Sequence, residues 1–164
     1  MFKLQPEPIG DRIKLKPLKP SDYFISTDVS SLDMDLVCRK LSEDSYWAAG
    51  RSHEAIRRSF ENSHSFGIFR SDGKQMVGFC RVVSDFATVA YLLDVYILRS
   101  HRGRGLGEYF IQQVLDDSKL EKVRRFMLAT NDAHQFYEQF GFSKIEHPEY
   151  FMEMYVDRKK DDNE

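Results

Sequence analysis

The sequence predicts a mixed α/β (α+β) domain built on a largely antiparallel sheet, and three observations predict it. Helical spacing of apolar residues governs the stretch from Asp33 to Phe60, after which the period shortens to that of strands. Ser71-Asp72-Gly73-Lys74 separates two strand-like runs and is a strong hairpin signal. A glycine-rich turn then joins a long apolar strand to an amphipathic helix.

The elements follow in order. Ile13 and Leu15 alternate with Lys14 and Lys16, so Arg12 to Leu18 reads as a half-exposed strand closed by Pro17 and Pro20. Asp33 to Leu41 sets Leu36, Val37 and Leu41 at helical spacing, and Ser42 to Gly50 is a polar and aromatic loop. Ser52 is the expected N-cap of a helix from His53 to Phe60, with Ala55, Ile56, Ser59 and Phe60 on one stripe. Phe66 to Arg70 and Met76 to Val83 are the hairpin strands. Thr88 to Leu98 is nearly all apolar, as strands buried on both faces are. Leu106 to Leu115 places apolar residues at 106, 110, 111, 114 and 115, one helical face. Phe126 to Ala129 is a short buried strand, and Ala133 to Phe140 a short helix stopped by Gly141. Phe142 to Ile145 and Tyr150 to Val156 are expected to end the domain as strands.

A length of 164 residues fits one domain, with a core over about residues 11–156 and a polar tail at 157–164. Net charge is −2, so no global field favours nucleic acid or an anionic membrane. No apolar run has the length of a membrane span, and Met1 to Gly10 is too polar for a signal peptide. Cys38 and Cys80 are too few for a disulfide framework and lack zinc-site spacing. A cytoplasmic protein without metal is the expectation.

The sharpest local signal is Arg102-Gly103-Arg104-Gly105-Leu106-Gly107. Glycines let the backbone bend and approach a ligand closely. Amides at the start of the following helix point outward, and the helix dipole and two arginines add positive charge. Such a turn suits a pyrophosphate. The P-loop pattern is absent, and the spacing G-x-G-x-G is not the dinucleotide fingerprint G-x-G-x-x-G.

The pattern R-x-x-G-x-G after an apolar strand resembles the acetyl-coenzyme A signature of the GNAT superfamily of N-acetyltransferases. Leu92 to Leu98 looks like that family's fourth strand. Ala133 to Phe142, A-x-x-F-Y-E-x-x-G-F, resembles its late signature. Ser45-Tyr46-Trp47 with Gly50-Arg51, and Arg81 to Asp85, resemble a branch of small members without a defined substrate. The resemblance runs from about Arg12 to Val156 and implies a GNAT-like acyl-CoA N-acyltransferase fold.

It also implies acetyl transfer from acetyl-CoA to a primary amine that attacks the thioester directly. The pyrophosphate would sit on Arg102, Gly103, Arg104, Gly105, Leu106 and Gly107. Backbone groups from Val95, Tyr96 and Ile97 would pair with the pantetheine arm, with an amide near Val95 facing the oxyanion. Tyr137 falls at the position of the family's tyrosine acid, which protonates the leaving thiolate; as a residue type alone it also suits a core aromatic beside Phe136 and Phe140. Asn131 stands one residue from the family's pantetheine-binding Asn, a position held by Thr130 here.

The base is open. The frequent family glutamate falls near Tyr91. Asp94, the lone charge in the run from Val89 to Leu98, is either a base or a satisfied structural carboxylate. Asp85 is either the start of a water relay or a turn-forming residue. Tyr46 and Trp47 either line the acceptor pocket, enclosing a small-molecule amine, or plug the core. The alternative reading is a non-catalytic CoA- or acetyl-CoA-binding sensor or interaction module with the same fold, and the resemblance leaves monomer and homodimer open.

Overall fold

A computed structural model describes residues 19–156, so the expected strand from Arg12 to Leu18 lies outside the described residues. The chain groups into two compact units that divide between Ala129 and Thr130.

The first unit holds a five-stranded sheet in sequence order. Its strands are β1 (Tyr23–Ser26), β2 (His64–Arg70), β3 (Met76–Ser84), β4 (Val89–Ile97) and β5 (Arg125–Met127). The first four run antiparallel, and β5 pairs parallel to β4. The largely antiparallel sheet is therefore present. β1 was not among the expected elements; Tyr-Phe-Ile-Ser is too short to display a period.

Two helices separate β1 from β2. Helix α1 (Met34–Asp44) starts where the Asp33 carboxylate accepts from the Leu36 N–H at 2.9 Å. It runs three residues past the expected end at Leu41, and the Ser45 hydroxyl donates to the Leu41 carbonyl. Helix α2 (His53–Glu61) is capped by Ser52, as its sequence position required. Ile56 and Phe60 are its buried residues; Ala55, expected on the same stripe, is exposed. Val37, Leu41, Ile56, Phe60, Phe69, Phe79 and Tyr96 form one core cluster joining these helices to the sheet.

Helix α3 (Leu106–Leu115) has the expected bounds, with Leu106, Phe110, Ile111 and Val114 buried. It completes a β4–α3–β5 crossover, the connection that parallel strands require. β4 is not buried on both faces as its composition implied. Its residues alternate, with Ala90, Leu92, Asp94 and Tyr96 buried and Tyr91, Leu93 and Val95 half-buried. The physical reason lies in its pairing. β5 covers only Val89 to Tyr91, so among the described residues the rest of β4 pairs with β3 alone.

The second unit contains helix α4 (His134–Glu138), preceded by a turn in which the Thr130 hydroxyl accepts from the Ala133 N–H at 3.1 Å. Gly141 follows at φ 89°, the expected stop. Phe142 to Ile145 and Tyr150 to Val156 form no strands, contrary to expectation. Apolar content alone does not make a strand; a partner edge is needed, and none pairs with them among the described residues.

Candidate functional site

β4 carries a bulge. Phe79 pairs with Tyr96 and Arg81 with Leu93, so Cys80 of β3 faces both Asp94 and Val95. Asp94 adopts φ 53°, a left-handed conformation that side chains other than Asn, Asp and Gly rarely take. Its side chain is 2% exposed and meets two arginines. Arg81 Nε donates at 2.6 Å, and Arg51 Nη1 donates to both carboxylate oxygens at 3.3 and 3.2 Å. Arg81 also reaches the Ser63 hydroxyl at 3.3 Å. Asp94 is thus a paired carboxylate held by two arginine side chains.

The Cys80 thiol, fully buried opposite the bulge, is pushed well up by its burial and further by the Asp94 charge. Cys38 is raised by burial too. Neither sulfur is disposed to act as a nucleophile.

The strand leads into the glycine-rich turn. A 3₁₀ turn at Arg99–His101 is followed by Gly103 at φ 70° and Gly105 at φ 82°. Both angles need glycine at little steric cost. A Cβ built on Gly105 meets nothing within 4 Å, so the turn surface there is open. The first intrahelical bond of α3 runs from Tyr109 N–H to Gly105 carbonyl, and among the described residues no side chain caps the amides of Leu106, Gly107 and Glu108. Arg102 Nε donates to the Ile97 carbonyl at 2.7 Å, with its guanidinium 5.0 Å from the Tyr96 ring centroid. Arg104 Nη2 reaches the Ser100 carbonyl at 3.4 Å, while its buried Nε has no partner among the described residues. Open backbone, outward amides and an unsatisfied guanidinium N–H together fit a phosphate-bearing ligand.

Tyr96 and Ile97 point their side chains into the core, at 3% and 8% exposure. Only their backbone is placed to meet a ligand, along the stretch of β4 that β5 leaves uncovered.

Asp85 sits in the β3–β4 turn. Its carboxylate accepts from the backbone N–H groups of Ala87, Thr88 and Val89 and from the Thr88 hydroxyl. These hydrogen bonds, the Thr88 hydroxyl first, hold its carboxyl well below the usual range. Tyr46 and Trp47 lie in the loop after α1, edge to face at 5.1 Å between centroids. They are 55% and 42% exposed, so they do not plug the core.

In the second unit Tyr137 lies on α4 within an aromatic group. Its ring meets Phe136 at 5.0 Å and Phe142 at 5.8 Å between centroids. Asn131 is exposed, one residue beyond the turn-closing Thr130.

Within the first unit the structure joins Asp94, Val95, Tyr96, Ile97 and the turn from Arg102 to Gly107 into one continuous strip. Arg51 and Arg81 lie outside it and brace it through Asp94, a pairing that the sequence reading does not assign. The signal was present: Arg81 is the lone charge in the apolar run from Met76 to Val83, as Asp94 is in the next strand. A cation and an anion, each isolated in neighbouring strands, imply a buried pair. Among the described residues no group of three or more His, Cys, Asp or Glu could hold a metal, and no helix is long and apolar enough to cross a membrane.

Comparison with known proteins identifies the family. The model of the acetyltransferase (GNAT) family matches residues 34–142. FG08082 of Gibberella zeae, provisionally named an acetyltransferase, is 33% identical over 73% of this chain and 78% of its own. A GNAT-family crystal structure from Xanthomonas campestris pv. campestris is 42% identical, with a TM-score of 0.77 over 82% of this chain and 93% of that one. A Clostridium acetobutylicum protein in a crystal structure with acetyl-CoA shares the fold at 15% identity, with a TM-score of 0.61 over 81% of this chain and 94% of that one. The chain belongs to the GNAT family of acetyltransferases and is an acyltransferase.

Proposed function

We propose that the enzyme moves an acetyl group from acetyl-CoA to a primary amine by direct attack on the thioester. The observation that carries this reading is the strip formed by the β4 bulge, the uncovered strand edge and the turn at Gly103 and Gly105. The turn from Arg102 to Gly107 would take the pyrophosphate, Val95 to Ile97 the pantetheine arm, and Asn131 a further contact to that arm. The Val95 amide would face the oxyanion, because the bulge interrupts the regular ladder there.

The amine nitrogen forms a bond to the thioester carbon, the C–S bond breaks, and the thiolate takes a proton, which we assign to the Tyr137 hydroxyl. Two raised, buried thiols support direct attack over an acyl-cysteine intermediate. For Asp94, both carboxylate oxygens are engaged by guanidinium groups and the side chain is 2% exposed, which favours a structural over a basic role. For Asp85 the low carboxyl pKa favours the same choice. The acceptor attacks as the free amine, having lost its ammonium proton to solvent; the proton its nitrogen sheds after attack also passes to solvent, from which Tyr137 is reprotonated. Exposed Tyr46 and Trp47 support an aromatic wall for a small-molecule amine. The two free buried cysteines support a reducing compartment, which we take to be the cytoplasm.

Thermal unfolding with and without acetyl-CoA tests the reading. The wild-type midpoint is expected to rise, by about 2.7 kcal/mol equivalent when ligand is about 100 times its Kd. Gly105→Glu, and separately Arg104→Gln, should lose most of the increment, whatever their own baseline. No increment in wild type at saturating ligand would refute the assignment of the donor site.

A further inference from the structure

The buried ion group at Asp94 lies in a place that stability alone does not explain. Its partners come from two directions: Arg81 from the adjacent strand, and Arg51 from the end of the loop that carries Tyr46 and Trp47. Burying such charges costs solvation that their attraction need not repay, so the group is weak evidence for stability. Asp94 also stands at φ 53° within a strand whose neighbours are extended. A left-handed residue in a strand persists only where its surroundings over-determine it.

We propose that Arg51 and Arg81 are positioning residues which, through Asp94, hold the β4 bulge so that the Val95 amide stays aimed at the thioester carbonyl. The inference rests on the acetyl-CoA reading of this same site and deepens it. The two arginines do not divide the work equally. Arg81, 11% exposed and 2.6 Å from the carboxylate, is the fixed partner. Arg51, 31% exposed and more distant, links the aromatic loop to the bulge. A shift of that loop would therefore be felt at the amide. Nothing in this role moves a proton or touches the substrate; it sets the direction of one N–H.

Isotope-edited infrared spectroscopy of acetyl-CoA labelled with ¹³C at the thioester carbonyl reads that direction. Bound to wild type, the carbonyl band should be narrow and displaced to lower wavenumber. In Arg51→Gln and Arg81→Gln it should broaden and move back, while affinity for CoA itself stays within about threefold. Asp94→Asn should keep most of the displacement, because Asn tolerates the left-handed conformation and still accepts from Arg81. A merely structural role would lower the unfolding midpoint and leave the band of the folded, ligand-bound protein unchanged. Unchanged bands in both arginine variants overturn the inference. Should Arg81→Gln fail to fold, the half-exposed Arg51 carries the test alone. Absence of acetyl-CoA binding by wild type overturns the donor-site reading, and this inference with it.

Discussion

Arg102 rests over the ring of Tyr96, 5.0 Å from its centroid, and so fastens the glycine-rich turn to the core. The same ring is stacked on Phe79 at 5.4 Å and 11° and is 3% exposed. Turn and core are thereby one mechanical piece. Tyr96→Phe keeps the ring and gives up only a 3.5 Å contact with Asp44, so it should leave stability within about 1 kcal/mol. Tyr96→Ala should cost about 3–5 kcal/mol by opening a cavity, and should also weaken CoA binding by freeing Arg102. Urea unfolding and calorimetric titration with CoA measure the two effects. Wild-type CoA affinity in a folded Tyr96→Ala protein would refute the mechanical link.

Gly78 sits where β3 meets the end of β4, paired with Ile97. A Cβ at this position would lie 2.8 Å from the Tyr96 carbonyl oxygen, 2.5 Å from Ile97 Cδ1 and 2.9 Å from Ile68 Cγ2. The side chains can give way; the backbone oxygen cannot without moving the strand. Gly78→Ala is therefore expected to destabilise by about 1–3 kcal/mol, despite the better strand propensity of alanine. A denaturation midpoint equal to that of wild type would show that the two strands separate freely.

Tyr137→Phe removes one hydroxyl and leaves the aromatic contacts with Phe136 and Phe142 in place. If that hydroxyl protonates the leaving thiolate, turnover should fall by about 10²–10⁴, the usual worth of a positioned acid. Acetyl-CoA affinity should change little. Thiol release with a panel of primary amines gives the first quantity and titration the second. Equal turnover in both proteins would return Tyr137 to the role of a core aromatic.

These residues also show what the sequence made legible. The bounds of α3 could be read because a glycine turn starts it and its apolar face is unbroken. Ser52 could be read as a cap because the N–H its hydroxyl accepts from, that of Ala55, is only three residues away. Asp94 stood out as an isolated charge, but its partners lie 13 and 43 residues away, and no local rule connects them. The bulge was not legible either, since it depends on how two strands register. The strands expected at Phe142–Ile145 and Tyr150–Val156 failed for a related reason: composition supplies apolar residues but not a neighbour. Met152 and Met154, at 99% and 86% exposure, lack the covering that the pattern presumes.

His101, at the start of the glycine-rich turn, makes stability depend on pH. Its ring meets Tyr23 edge-on, and its Nδ1 is buried without a hydrogen-bond partner among the described residues. Burial first, then the charges of Arg104 and Arg70, lower its pKa below the ordinary 6.5. The unfolded chain therefore binds the proton more readily than the folded one, and stability must fall as pH drops through about 6.5. Above that pH both states carry a neutral ring and the effect vanishes. His101→Phe keeps an aromatic ring but cannot titrate. Between about pH 7.5 and about pH 5.5 its unfolding midpoint should fall less than that of wild type, all other titrating groups being common to both proteins. Parallel midpoint curves for the two proteins would mean that His101 is protonated as easily in the fold as outside it.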